Sequence, residues 1–97
     1  MRVHIAEDAE RDLEEIADFI ARGNPERAAS FVMQLRRQAF AIGRTPNAYP
    51  PRPNFGEGIR VSIRRPYLIV FRIRERRVEV LRVLHGARDV AAVLASG

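Results

Sequence analysis

The fold is decided by the stretch Ile59–Leu84, IRVSIRRPYLIVFRIRERRVEVLRVL, which predicts three successive β-strands. Its first segment alternates apolar and polar residues, and its second is apolar enough to be a central strand. Pro66 separates these segments, and the polar residues 74–77 predict a turn whose type is left open because they include no glycine. The strands are expected at residues 59–64, 67–73 and 78–84.

Two amphipathic helices are predicted upstream of these strands. Apolar residues recur at steps of three and four within residues 7–22, acidic residues crowd the first turn, and a glycine follows as a stop. Asn24 and Pro25 form the N-cap and first position of a second helix, which is expected to run to about Ile42 and to end at Gly43. A link this short predicts an antiparallel helical hairpin.

The remaining segments complete an α+β fold. Residues 3–5 predict a short edge strand, residues 44–57 a loop without regular structure because it holds four prolines, and residues 90–94 a short terminal helix. The expected architecture is an N-terminal edge strand and an antiparallel two-helix hairpin packed on one face of a small antiparallel β-sheet. We expect the other face and the end of the sheet to carry the arginines. A length of 97 residues predicts one domain, 1–97.

Charge is distributed unevenly along the chain. Residues 1–26 hold eight acidic residues against three arginines, whereas residues 27–97 hold fourteen arginines against four acidic residues. This polarity predicts a cationic working surface and an acidic partner, which is nucleic acid, an acidic protein segment or both. The chain has no cysteine and no apolar run near the length of a membrane span, and acidic residues stand where a signal peptide is apolar. We therefore expect a protein of the cytoplasm that has no membrane partner.

The residue pattern does not predict a metal site, a cofactor-binding loop or a catalytic nucleophile. The two histidines, His4 and His85, stand at opposite ends of the chain, so no metal site is expected. No serine lies in a strand-turn-helix elbow, and the short glycine motif at residues 56–58 lacks the rest of a nucleotide-binding loop. Glu10 and Glu14 share the helix face opposite the apolar stripe, where we expect water to solvate them. No cofactor is expected.

Arginines and one histidine form the most informative set. Arg60 and Arg64 share the polar face of the first strand, while Arg82, His85 and Arg88 close the last strand at three-residue steps. Such a set could hold a phosphodiester while the histidine transfers a proton. The alternative is that the arginines pair with carboxylates of this chain or of a partner.

Catalysis by this set needs a second group that transfers a proton. The candidates are His4 and Tyr67, which we expect at the far end of the strand next to the last one. Pairing of Arg82 and Arg88 with Asp89, Glu79 or a partner's carboxylates is therefore the favoured interpretation.

Several local strings are specific enough to suggest a family. They are AERDLEEI at 9–16, NPERA at 24–28, PRP at 51–53, GIR at 58–60, YLIVFR at 67–72 and VLRVLHGARD at 80–89. With the order of helices and strands, they resemble the ParE branch of the ParE/RelE toxin superfamily, the toxin half of type II toxin–antitoxin modules. The last string is the most specific, and the resemblance runs over nearly the whole chain.

The resemblance implies a binding toxin rather than an enzyme. ParE-like members poison DNA gyrase and block replication, and a ParD-like cognate antitoxin neutralises them in a hetero-oligomer. The residues expected to contact the target are Arg60, Arg64, Arg82, His85 and Arg88. The residues expected to contact the antitoxin are Phe19, Ile20, Arg72 and Arg82.

Two alternatives stay open at the level of sequence. RelE-like members cut mRNA on the ribosome, and their nucleases generally keep basic residues with a tyrosine, histidine or phenylalanine near the last strand. His85 matches such a position, but Gly86-Ala87 supplies no tyrosine and the chain has no lysine. In this alternative the protein is a metal-free endoribonuclease that uses His85, Arg82 and Arg64, with ribosome and mRNA as partners. The second alternative is a module partner without toxicity.

Overall fold

The computed structural model describes residues 1–86 and 88–96, so Ala87, within the string that ends at Asp89, lies outside the described residues. Its regular elements are β1 (Arg2–Ile5), α1 (Glu7–Ala21), α2 (Pro25–Ala41), β2 (Arg60–Arg64), β3 (Tyr67–Arg74), β4 (Arg77–His85) and α3 (Val90–Ser96). The four strands form one sheet in the order β1-β4-β3-β2. The predicted α+β class and the edge position of β1 are confirmed.

The sheet is mixed rather than wholly antiparallel. β2–β3 and β3–β4 are antiparallel pairs, but β1 runs parallel to β4, with Arg2 opposite Arg77 and Ile5 opposite Val80. The helical hairpin supplies the crossover that a parallel neighbour requires. Among the described residues, no helix is long and apolar enough to cross a membrane.

The hairpin forms as the local signals predict. The Asn24 side chain caps α2 by accepting the Arg27 N–H at 3.1 Å, and Pro25 occupies the first helical position. Glu10 was expected to be solvated, but it forms an ion pair: Arg36 of α2 donates to both of its carboxylate oxygens, at 2.9 and 2.6 Å. This ion pair ties the two helices together and lowers the pKa of Glu10, chiefly through the hydrogen bond from Arg36.

Both faces of the sheet carry apolar side chains. The face towards the hairpin holds the larger cluster, in which Phe71, Ile69, Val78 and Val80 are fully buried beneath Leu35 and its neighbours. The opposite face holds a second cluster of Ile59, Val70, Leu84 and Val90, covered by α3 and by Phe55. The expectation that this face carries arginines therefore holds for one half of it. Only the half near the β3–β4 turn is basic.

The structure corrects two expectations about the connections, in the loop after α2 and at Gly43, and it assigns the type of the β3–β4 turn. Residues 44–57 are not wholly irregular, because single 3₁₀ turns form at Ile42–Arg44 and Pro46–Ala48. Gly43 lies inside the first of these turns, and a Cβ there would stand 2.3 Å from the Met1 carbonyl oxygen, so close packing rather than helix termination requires glycine. The β3–β4 turn has positive φ at Glu75 (53°) and Arg76 (64°), as a type I′ hairpin turn demands.

Candidate functional site

An ion pair between α1 and β4 organises the edge of the sheet. Arg82 donates from Nε to Asp12 Oδ2 at 2.7 Å and from Nη2 to Oδ1 at 2.9 Å, and the Val83 N–H donates to Oδ2 at 2.9 Å. β1 pairs with β4 only as far as Val80, so the backbone beyond it lacks a neighbouring strand on that side. Asp12 supplies the acceptor that such a strand would have given to Val83.

The Asp12 carboxylate neutralises Arg82 within the fold. Only 7% of the Asp12 side chain and 24% of the Arg82 side chain are exposed. Hydrogen bonding to Asp12 raises the pKa of Arg82 against the opposing effect of burial, so its charge is permanent and already paired. The expected pairing with Glu79, Asp89 or a partner did not include Asp12, which is the acceptor in the structure.

Arg60 and Arg64 are also engaged by the protein itself. They lie opposite Phe71 and Tyr67, and so on the hairpin side of the sheet, not on an outer polar face. Arg60 donates to the Tyr49 carbonyl oxygen, and Arg64 donates to the side-chain oxygen of Gln34 in α2. The alternation in β2 was predicted correctly, but its polar side faces the rim of the helical layer.

The strand register brings three polar or aromatic side chains into one row. Arg64, Tyr67 and His85 occupy matching positions on β2, β3 and β4. The Tyr67 and His85 rings meet edge to face at 5.7 Å, and Phe31 of α2 packs on Tyr67 at the same centroid distance. The prediction that Tyr67 lies at the far end of the strand from His85 was therefore wrong.

The C-terminal trio does not share one surface. In the strand register His85 lies opposite Tyr67, whose side chain is on the hairpin side of the sheet. Arg82 lies opposite Val70, whose side chain is on the other side. Arg88 is exposed beyond the strand, and its backbone N–H donates to the His85 carbonyl oxygen at 2.9 Å. Three-residue spacing along the sequence thus distributes these side chains instead of clustering them.

A groove of about 670 Å³ lies between α3, the loop before β2 and the start of α1. Both arginines predicted to contact an antitoxin, Arg72 and Arg82, contribute to its wall. Its apolar lining includes Phe55, Ile59, Leu81, Val93 and Leu94, and its acidic lining is Asp8 and Glu57. The groove thus combines an apolar floor with charged groups of both signs.

The other predicted antitoxin contacts lie away from this groove. Phe19, with 65% of its surface exposed, and Ile20, which packs partly into the main core, stand about two helical turns beyond Asp12 on α1. Arg72 itself is paired, because its Nε donates to Glu79 Oε1 at 2.7 Å. This hydrogen bond lowers the pKa of Glu79.

Sequence reasoning missed one residue that organises the site. Asp12 is the acidic member of the stripe Ala9, Asp12, Leu13 and Ile16, all of which are buried. A carboxylate within an apolar stripe is a signal that a buried basic partner exists elsewhere. Within residues 1–86 and 88–96, no three histidine, aspartate or glutamate side chains are grouped so as to hold a metal ion.

Comparisons with known proteins agree with this architecture. The chain is similar to a chain of the chromosomal ParDE toxin–antitoxin system from P. aeruginosa, with a TM-score of 0.76 and 25% identity over 88% of this chain and 95% of that one. It is also similar to a chain of the RelBE2 toxin–antitoxin complex of Mycobacterium tuberculosis, with a TM-score of 0.61 and 26% identity over 87% and 95%. No curated protein matches the sequence.

The family comparison is more direct. Residues 3–90 match the model of the ParE toxin of type II toxin–antitoxin systems, and this range includes the Asp12–Arg82 pair and all of the sheet except Arg2. This chain therefore belongs to the ParE toxin family, and it is a ParE-type toxin of a toxin–antitoxin module.

Proposed function

We propose that this toxin inhibits DNA gyrase and blocks replication by binding, without chemistry of its own. The observation that carries this proposal is the internal pairing of the arginines that a nuclease would need. Asp12 neutralises Arg82, and the uncharged side chain of Gln34 holds Arg64 by a hydrogen bond, so contacts within the protein orient both guanidinium groups. Stabilisation of a transition state depends on donors aimed at the developing charge, and these donors are aimed at the protein.

The target contacts in this proposal come from the exposed end of the sheet. His85 and Arg88 are exposed there. Arg64 lies in the same row as His85, whereas Arg60 and Arg82, the other two proposed contacts, are half-buried at other positions of the sheet. Arginine is enriched among residues that dominate protein interfaces, which supports Arg88 as a contact. Family membership supports gyrase as the target, and the site of action is the cytoplasm.

A ParD-like cognate antitoxin neutralises the toxin in a hetero-oligomer. The groove supports this part of the proposal, because its apolar floor suits an amphipathic segment and Arg72 and Arg82 stand in its wall. Phe19 and Ile20 offer a second contact near the hairpin tip. Arg72→Glu is expected to weaken antitoxin binding at least tenfold, whereas Arg37→Glu, the same change on the outer face of α2, is expected to leave it unchanged.

The test of the toxic activity combines purified components with cells. Purified toxin, gyrase and supercoiled plasmid are expected to give cleaved DNA, and induction without antitoxin is expected to stop DNA synthesis before protein synthesis. Translation that stops first, with cleaved mRNA, would overturn the gyrase proposal. If neither synthesis stops, the chain is a module partner without toxicity.

A metal-free mRNA endonuclease acting on the ribosome is the second candidate function. The row of Arg64, Tyr67 and His85 favours this function. The ring centroids of Tyr67 and His85 are 5.7 Å apart, so the two side chains provide two neighbouring groups for proton transfer. His85→Gln and Tyr67→Phe each separate the candidates. A nuclease is expected to lose about 10²-fold or more in rate with either substitution. A gyrase inhibitor is expected to keep its potency in Tyr67→Phe and most of it in His85→Gln, in which the target contact is changed but no proton transfer is needed.

A further inference from the structure

The face of the sheet away from the hairpin is divided into two halves. The half near α3 is apolar and covered, but the half near the β3–β4 turn carries polar side chains and no helix. We call this second half the arginine face. Its members form two rows across β1, β4 and β3: Arg2, Arg77 and Arg74 in the first, and His4, Glu79 and Arg72 in the second.

The arginine face places like charges directly opposite one another. Arg77 pairs in register with Arg2 on one side and with Arg74 on the other, an arrangement that destabilises a sheet. Glu79 is the one acid of the two rows, and it serves both Arg72, at 2.7 Å, and Arg77, at 3.4 Å. Within the described part of the chain, Arg2 and Arg74 have no ion-pair partner.

The turn adds a further cation to this surface. Arg76 occupies the second central position of the β3–β4 turn, with a φ of 64° that an arginine adopts only at a cost. It too has no ion-pair partner among residues 1–86 and 88–96. The end of the sheet at the β3–β4 turn therefore has both a strained backbone at Arg76 and repulsion between neighbouring arginines, and both effects destabilise the fold.

We propose that the arginine face, together with Arg76, binds the sugar–phosphate backbone of a nucleic acid without reading its sequence. Guanidinium groups are always charged and bind phosphate oxygens as a planar fork. A flat lattice of arginines on adjacent strands can contact successive phosphates, because such binding depends on charge rather than on a shaped pocket. This activity is independent of gyrase inhibition and goes beyond it.

The surface suits a polyanion better than an acidic protein segment. The centres of protein interfaces combine arginine with tyrosine, tryptophan, phenylalanine or methionine, and none of these four residue types is among the six residues of the arginine face. The large apolar side chains that are exposed lie elsewhere: Phe19, Met33 and Phe40 on the helices, Ile63 on β2 and Met1 ahead of β1.

Binding of the free toxin to a short fluorescent duplex DNA, measured by anisotropy over a series of salt concentrations, tests the proposal. The variant Arg74→Gln with Arg76→Gln removes two unpaired cations. It is expected to bind several-fold more weakly and to reduce the magnitude of the logarithmic salt slope by about two. Arg22→Gln with Arg37→Gln removes the same charge from the helices and is the matched control. It is expected to keep nearly all of the affinity and slope.

Thermal melting separates loss of binding from loss of fold. The arginine-face variant is expected to melt at or above the temperature of the parent, because it relieves repulsion between neighbouring strands. Equal weakening by the control pair, or binding that does not depend on salt, overturns the proposal. Displacement of the DNA by an equimolar acidic peptide also overturns it, since the surface then recognises acidic protein.

Discussion

The Asp12 carboxylate binds the Arg82 guanidinium across 70 positions of sequence, and the same carboxylate accepts the Val83 N–H. One side chain thereby joins the first helix to the last strand and satisfies the open edge of that strand. Both partners are largely shielded from water, so removal of either one is expected to cost more than breaking an exposed ion pair does.

Asp12→Ala is expected to lower the free energy of unfolding by about 2–3 kcal/mol, because it leaves a shielded guanidinium and a buried backbone N–H without an acceptor. Urea denaturation of the free toxin measures the loss. Glu15→Gln removes an exposed carboxylate from the same helix and is expected to change stability by less than about 0.5 kcal/mol. Equal effects of the two substitutions would contradict the structural role of Asp12.

Gly43→Ala tests the close approach between the first 3₁₀ turn and the N-terminus. The added Cβ meets the Met1 carbonyl oxygen at 2.3 Å and the Val3 side chain at 2.9 Å. We expect a loss of about 1–3 kcal/mol in unfolding free energy, as overpacking typically gives. At Gly23 the nearest atom stands 3.9 Å from the added Cβ, so Gly23→Ala is expected to be neutral or slightly stabilising.

Acid is expected to weaken the fold through Glu10 and Glu79. Hydrogen bonds from Arg36 and Arg72 hold the folded-state pKa values of these carboxyls below their ordinary value of 4.5. Their contribution is therefore fully present above that value and is lost as the pH falls through the lowered folded-state pKa values.

Glu10→Gln is expected to make the decrease in unfolding free energy at acidic pH smaller, by less than about 1 kcal/mol. The effect is small because water screens a pair whose two side chains are each 40% exposed. Denaturation midpoints measured between neutral pH and pH 3 give the comparison. Asp18→Asn, which removes an exposed carboxylate of α1, is expected to leave the pH profile parallel to that of the parent. A parallel profile for Glu10→Gln as well is the result that counts against the pairing.

Arg88→Ala is expected to reduce toxicity and gyrase inhibition roughly tenfold, because this exposed arginine is a proposed target contact. Stability is expected to stay unchanged, because the alanine N–H can still donate to the His85 carbonyl oxygen. The concentration that gives half-maximal cleavage of plasmid DNA is the measurement. Arg22→Ala is the control for loss of an exposed arginine. Full potency of Arg88→Ala places the target contact elsewhere on the toxin.

Periodicity alone identified the helices and strands, and Asn24 with Pro25 located the start of α2 to the residue. The orientation of β2 was harder to predict. Ser62 and Arg64 alternate with Val61 and Ile63, and a period of two predicts two faces without saying which one meets the helices. Here the polar side chains of β2 hydrogen-bond to Gln34 and Gln38 at the rim of the hairpin layer, while Ile63 on the other face is half exposed.

The arrangement of the site depended on register, which the sequence left open. The turn at Glu75-Arg76 lacks the usual asparagine and glycine, so its type and the alignment of the flanking strands could not be assigned. A bulge between Val70 and Phe71 on the β3–β4 ladder shifts the pairing again. These two features decide that Tyr67 meets His85 and that Arg82 turns towards Asp12.

The parallel pairing of β1 with β4 has a consequence for how the chain folds. β1 is the first strand to be synthesised, yet its neighbour is the last, with Arg2 opposite Arg77. A nascent chain that stops before β4 can close the helical hairpin but cannot complete the sheet or bury Val3 and Ile5 against it. Long-range pairing of this kind slows folding, because the loop must close before the contact stabilises it. The arginines of the finished sheet therefore come together only after β4 has left the ribosome.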